Sequence, residues 1–464
     1  MKEFQLVIIG SGPGGYVAAI RAAMLGVKTA LVEKDPFLGG TCLHRGCIPT
    51  KALLQTAHLY DDFKHAAEHG LHAGKVEVDF AKVHKRKADI VGKLAKGIQY
   101  LMKKRKVEVF TGSGHMVDAN TVGIQSDRGE EKIRARWVIL ATGSVPARLP
   151  HISPDHEVIL DSDSILRDET IPKTMAVIGA GAVGVEFASI FNSFGTKVSV
   201  IELLPDVVPI EDEKISKALE RAFKKKKMDV HTSSEVKSVG KVKGGAKLTV
   251  ASGEKTSELV VERVLLSVGR RPVTGDLGLD ELGVETDQAG YLAVNEFMQT
   301  RVPNVYAIGD IVRTPWLAHV ASAEGILAVD HLSGKAARPI DYKKIPNCTY
   351  CSPEVASVGL TEKAARDAGY DVATGEFPFS AIGKAMIMGE TDGFIKIVSE
   401  KRYDEVLGVH IIGPKATELI AEASLGLGLE TTVEEIAKTV HAHPTLSEAM
   451  MEAAHSVYGE AIHI

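Results

Sequence analysis

The sequence predicts an α/β fold with two Rossmann-like βαβ units and a C-terminal α+β region. Three observations predict it. A glycine-rich turn between a short apolar strand and a helix occurs at residues 10–15 and again at 179–184. In both places the strand after the helix ends on a glutamate, Glu33 and Glu202. After Pro339 the pattern changes, to strands and then helices.

In chain order, residues 4–9 read as a buried strand, 10–15 as the turn, 16–25 as a helix stopped by Gly26, and 27–33 as the next strand. Residues 82–104 read as a long helix with a polar face. Residues 141–150, with Pro146 and Pro150, read as a domain crossover. The grammar then repeats: strand 175–178, turn 179–184, helix 185–194 with Gly195 as its stop, strand 197–202. Residues 230–266 alternate apolar and polar side chains between turn signals, so they read as strands. No short-period repeat is present.

Bulk properties narrow the class. The 464 residues carry 45% hydrophobic and 25% charged side chains, as in ordinary globular proteins, and the net charge of −5 argues against a nucleic-acid binder. Short basic runs at 82–87, 103–106 and 224–227 read as solvated helix faces. From Asp341 onward there are 19 acidic against 10 basic residues, a local balance of −9. Two readings stand for that: a surface for a basic partner, or solubility. No stretch is apolar for long enough to span a membrane, and the start, MKEFQLVIIG, is too short for a signal peptide. A cytoplasmic, reducing compartment is expected. Four cysteines in such a chain suggest chemistry or burial rather than a disulfide framework.

Each glycine turn has a physical job. In the first, Gly10 permits the tight turn, Gly12 lets the backbone approach a pyrophosphate, and Gly15 lets helix and strand pack closely. A pyrophosphate would then meet the helix N-terminus, with Glu33 on a ribose hydroxyl. In the second, Gly179, Gly181 and Gly184 repeat the pattern with Glu202. A carboxylate there accepts from free ribose hydroxyls and repels a 2′-phosphate, so NAD is expected over NADP. The bland alternative is a structural glutamate ending a strand. Two dinucleotide sites imply electron transfer between two carriers. Cys42 and Cys47 offer the third station. Their spacing closes a loop that a disulfide can bridge, and Pro49 places Cys47 near a helix N-terminus, which favours a thiolate. Lys51, four residues on, adds positive charge. With no further His or Cys at ligand spacing, no metal site is expected.

The combined pattern resembles the pyridine-nucleotide:disulfide oxidoreductases, from Gly10 to the HPTLSEAM segment at 443–450. The resemblance implies a glutathione-reductase-like fold with a C-terminal dimerisation domain. It implies an FAD-binding domain at 1–147, an NAD-binding domain at 148–272, a central domain at 273–340 completing the FAD site, and an interface domain at 341–464. It also implies the activity of the branch that oxidises protein-bound dihydrolipoamide, with FAD and NAD as cofactors. Cys42 would exchange with substrate, and Cys47 would face the flavin. Lys51 would lie beside the flavin and pair with Glu186. The FAD contacts implied are Gly10, Gly12, Gly15, Glu33, Thr41, Lys51, Gly114, Thr142 and Gly143 of the crossover, Asp310 of the YAIGD segment, and Ala318 and His319. The NAD contacts implied are Gly179, Gly181, Gly184, Glu186, Glu202, Val236 and Gly269. His443 would move the thiol proton and Glu448 would orient it. The partners implied are a second copy, giving a homodimer, and the lipoyl-bearing acyltransferase (E2) of a 2-oxo-acid dehydrogenase complex. Two departures stand out: His44-Arg45 where Asn and Val are frequent, and Thr50 for a frequent Ser.

Rival readings remain on the same residues. Thr445-Leu446-Ser447-Glu448 is a capping box, with Thr445 at N-cap and Glu448 at N3. His443 is then a loop histidine, unless the glutamate serves both purposes. Cys348 and Cys351 form a CxxC that reads as strand residues rather than a second redox pair. Glutathione, mercuric and thioredoxin reductases share the family. Glu202 opposes the first, and the ending Ala461-Ile462-His463-Ile464 lacks the extra redox residues of the others. A non-catalytic subunit is opposed by the intact cysteine pair and His443.

Overall fold

A computed structural model describes residues 1–72 and 74–464. The chain forms two compact units. The first comprises Met1–Ala52, Ala81–Ala147 and Gly269–Tyr342; the second comprises Leu53–Phe80, Arg148–Val268 and Lys343–Ile464.

The first unit is built on a seven-stranded sheet. Its parallel part runs Glu108–Thr111, Thr29–Glu33, Lys2–Ile9, Gly129–Leu140, with Val305–Ala307 added in parallel to the end of the last. Leu6, Val7 and Ile8 are fully buried. Such a run without alternation is what a parallel strand covered on both faces requires. Thr121–Ser126 and Ser113–Asp118 extend the sheet antiparallel. The predicted helix at 16–25 begins earlier, at Pro13, because Pro suits a first helical turn, and ends at Met24 before Gly26.

The second unit repeats the grammar. Five parallel strands run Asp229–His231, Lys197–Ile201, Thr174–Ile178, Arg263–Leu266, Ile159–Asp161. A three-stranded antiparallel sheet, Glu235–Val242, Gly245–Ser252 and Lys255–Val261, accounts for the alternation in 230–266. The C-terminal sheet has five antiparallel strands, in order Asn347–Thr349, Glu354–Gly359, Val406–Gly413, Phe394–Glu400, Val372–Pro378. Helices Ala416–Gly428 and Glu448–Val457 cover one face over an aliphatic and aromatic core.

The opposite face carries a polar row that the sequence does not announce. Asn347 pairs with Ser357, Ser357 with His410, His410 with Lys396 and Lys396 with Glu376, one residue from each strand. Cross-strand partners share a face, so the row crosses the whole sheet. It meets the start of helix Glu213–Lys225 group for group. Glu211 accepts from Asn347 Nδ2 at 2.6 Å, Asp212 binds Lys396 Nζ through both oxygens at 2.9 Å, and Lys214 bonds Glu376. Lys396 is 1% exposed and is also held by Glu362. A buried ammonium survives only when paired in this way.

Three expectations need correction. Lys226, in the run read as a solvated helix face, is half-buried, and its Nζ bonds Ser352 O and Oγ at 3.1 and 2.6 Å. Cys348 lies in a strand, but Cys351 lies in the turn after it, fully buried, its Sγ–H on Pro353 O at 3.2 Å. The capping box is half-formed. Glu448 Oε2 accepts from Thr445 N–H at 2.8 Å, but Thr445 Oγ1 turns to Ala442 O and Ser447 Oγ. The helix therefore starts at Glu448 with Ser447 at its N-cap, which makes no side-chain cap bond. Among the described residues, no helix is long and apolar enough to cross a membrane, and no group of three metal-ligating side chains occurs.

Candidate active site

The two glycine turns are near copies. Gly10 and Gly179 take φ of +104° and +98°, and a Cβ on Gly15 or Gly184 would stand 1.9 Å from the oxygen of Gly10 or Gly179. Only glycine fits these four positions. A Cβ on Gly12 or Gly181 would meet nothing within 4 Å. Each therefore faces open space at a helix N-terminus, a cradle that fits a pyrophosphate. Glu33 and Glu202 sit alike. Glu33 accepts from Ser11 N–H and Asp35 N–H, both at 2.8 Å; Glu202 accepts from Ala180 N–H at 2.6 Å and Leu204 N–H at 2.8 Å. Each carboxylate braces its own turn and lies at the turn's mouth.

In the first unit, Cys42 lies on the short helix Gly40–Arg45, with Thr41 beside it, and Cys47 opens helix Cys47–His65. The two thiols hydrogen-bond to each other. That bond, burial and the charge of Cys47 hold the Cys42 thiol above its ordinary range, and Lys51 opposes them. His44 and Arg45, the departures from the family pattern, anchor the loop. The His44 ring bonds Leu38 O at 2.9 Å, and Arg45 bonds Asp35 at 2.7 Å. Thr50 Oγ1 returns to Gly46 O at 2.7 Å.

Asp310 lies in the short helix Gly309–Ile311 and accepts from Ser144 Oγ, which accepts in turn from Arg270 Nε at 2.7 Å. Beneath it, fully buried Glu324 takes Gly309 N–H at 2.6 Å and Tyr342 O–H at 2.9 Å, and burial pushes its carboxyl up. Sequence reasoning missed Ser144, Arg270 and Glu324 as supports of Asp310. A lone glutamate inside apolar helix Ala318–Leu332 was the available signal. Ala318 and His319 open that helix. Thr142 is engaged, its Oγ1 on Val273 O at 2.5 Å, while Gly143 has φ +70° with nothing nearby. Gly114 packs under Ile9 and Val32, where a side chain would collide.

In the second unit, Glu186 is buried and accepts from Tyr350 N–H at 2.9 Å. Val236 is a core residue whose carbonyl takes the His151 ring at 3.1 Å. Gly269, with φ +106°, lies in the first unit, and its carbonyl accepts from Ala147 N–H. His443 Nδ1 stands 2.9 Å from Glu448 Oε1. Burial raises the Glu448 carboxyl, but the Thr445 N–H, the His443 bond and His443 charge outweigh it and hold it below its usual range. Glu448 thus bonds both neighbours, one oxygen to His443 and the other to Thr445 N–H. The His443 side chain is 77% exposed in the single chain.

Two dinucleotide cradles and a dithiol on one chain define a dinucleotide-dependent dithiol oxidoreductase. Residues 4–325 match the model of the pyridine nucleotide-disulphide oxidoreductases, residues 345–454 match the dimerisation domain of that group, and the chain belongs to this family. It is 45% identical over 473 residues to dihydrolipoyl dehydrogenase of Bacillus subtilis, with 99% of each chain covered. It is 43% identical over 467 residues to the mitochondrial dihydrolipoyl dehydrogenase of Pisum sativum, covering 100% of this chain and 93% of that one. The crystal structure of LpdA from Mycobacterium tuberculosis matches with a TM-score of 0.90 at 26% identity, over 98% of this chain and 99% of that one.

Proposed function

We propose that this chain catalyses dihydrolipoyl dehydrogenation: it oxidises protein-bound dihydrolipoamide to lipoamide through a Cys42–Cys47 disulfide and FAD, and reduces NAD+ to NADH. The observation that carries the reading is the dithiol opening a helix in the unit that also holds the first cradle. The chain works as a homodimer through the domain matched at 345–454. FAD lies in the 1–147 domain, completed by 273–340, and NAD in the 148–272 domain.

His443 acts as the base. Its Nδ1–H donates to Glu448, which leaves Nε2 as the acceptor for a substrate thiol proton. The resulting thiolate attacks Cys42, and the Cys42–Cys47 bond breaks to leave a mixed disulfide and a Cys47 thiolate. The second substrate thiol attacks the mixed disulfide, which releases lipoamide and leaves both cysteines reduced. His443 holds the displaced proton between these steps. Bound FAD supplies the two-electron relay from the dithiol to NAD+. Lys51 stabilises negative charge on the sulfur pair, and Glu202 selects the free ribose of NAD.

The acidic 341–464 region suits a basic docking segment of the acyltransferase (E2). The reading places the protein in the cytoplasm. Cys47→Ser provides the test. The variant should purify yellow with FAD bound and form no NADH from free dihydrolipoamide. Retained turnover with FAD bound would mean that the redox pair is misassigned.

A further inference from the structure

Helix Glu448–Val457 and the tail after it hold a second histidine–carboxylate pair that the reaction above does not use. Tyr458 O–H on Asp404 at 2.6 Å fixes the helix end, and Gly459, at φ +73°, turns the chain back. The last residues then return along the helix. Ile462 N–H donates to Glu452 Oε2 at 3.0 Å, and the His463 ring meets Glu452 Oε1 at 2.6 Å. The Glu452 side chain is 3% exposed, so both its oxygens are committed to the tail. Glu448 and Glu452 are four residues apart and share a helix face. One carboxylate is gripped by the loop before the helix, the other by the tail after it.

We propose that His463, clamped by Glu452, is a positioning residue for the His443–Glu448 pair and sets the pH at which His443 takes up its proton. This rests on the reading of His443 as the base. Protonated His463 places positive charge one helical turn from Glu448 and disfavours a second proton on His443; the Glu452 carboxylate does the reverse. His463 is close enough to pull the Glu448 carboxyl down, after the Thr445 N–H and His443. Nearest in the chain, His441, two residues before His443, meets Glu422 at 2.8 Å; charges on the packed elements pair among themselves. Glu376 on the adjoining strand bonds Lys214, Lys396 bonds Asp212 and Glu362, Glu400 accepts from Arg402 and Tyr403 N–H, and Glu434 pairs with Lys438. His455, in the last turn of the same helix, is a further titratable ring on this element.

The test uses the full-length, FAD-loaded protein with His463→Asn, His463→Ala, Glu452→Gln and His443→Gln. Two quantities are followed against pH: kcat/KM for NADH formation from dihydrolipoamide, and the rate at which diethylpyrocarbonate modifies His443, read by peptide mass spectrometry. Both His463 variants should move the His443 midpoint to higher pH by roughly half a pH unit, the size of one screened charge at this range. Glu452→Gln should move it to lower pH. Rescue of thermal stability by His463→Asn over His463→Ala, with the midpoint still shifted, separates charge from packing. An unmoved midpoint, or shifts of the same sign in both halves of the pair, overturns the proposal. Full turnover in His443→Gln would instead overturn the reading of His443 on which it rests.

Discussion

At the residue scale, the carboxylates proposed to select ligands are also parts of the scaffold. Glu202 holds Ala180 N–H and Leu204 N–H, so its position is set before any dinucleotide arrives. Preset charge is what discriminates against a 2′-phosphate. Glu202→Gln keeps the shape and removes the charge. The ratio of kcat/KM for NAD over NADP should then fall by roughly an order of magnitude, which corresponds to about 1.4 kcal/mol. An unchanged ratio would assign the selectivity to other residues. The same economy holds at Glu448, where one oxygen holds Thr445 N–H and the other His443. Legibility at this scale followed residue type. The turn glycines and the glutamates that brace them were readable because few residues fit those positions. Ser144 and Glu324 were not, because their importance comes from what the fold brings beside Asp310 and Gly309.

At the element scale, the glycine turns tolerate no enlargement where helix meets strand. Gly184→Ala places a methyl 1.9 Å from a backbone oxygen, and the turn must open. Overpacking of this kind costs about 1–3 kcal/mol. Here it should appear as weakened NADH binding in a titration, with FAD content unchanged; tight NADH binding would show that the second turn is not the NAD cradle. The polar row across the C-terminal sheet gives a second prediction. Lys396→Met leaves Asp212 buried without its cation, and loss of one partner of a buried pair costs about 3–5 kcal/mol, measurable in urea unfolding. Burial raises the Asp212 carboxyl, but the Lys396 bond, the charges of His410 and Lys396 and the Glu362 N–H together outweigh it and hold it below its usual range. A depressed carboxyl stabilises the fold above its unfolded value, and that stability is lost as pH falls through the folded one. Wild type should therefore lose stability in acid through this group, and Asp212→Asn should flatten that part of the curve. This row was invisible in the sequence. Alternation marks which residues share a face, but the pairing of Ser357, His410 and Lys396 is a matter of register between strands distant in the chain.

At the scale of the whole molecule, the exposure of His443 is the informative fact. The proposed base is 77% exposed in the single chain, on a segment that belongs to the dimerisation domain. A second copy is the natural cover, and by two-fold symmetry His443 of each chain would then serve the cysteines of the other. The consequence is measurable. Cys47→Ser and His443→Gln homodimers should each be nearly inactive, the latter by the roughly 10²–10⁴-fold typical of losing a general base. Co-expression with two different affinity tags yields the mixed dimer. If the base acts across the interface, one of its sites carries both defects and the other carries neither, so about half of wild-type activity returns. If the base acts within its own chain, each site keeps one defect and nothing returns. A mixed dimer that is folded, yellow and inactive would refute the shared site, while leaving the chemistry of Cys42, Cys47 and His443 in place within one chain.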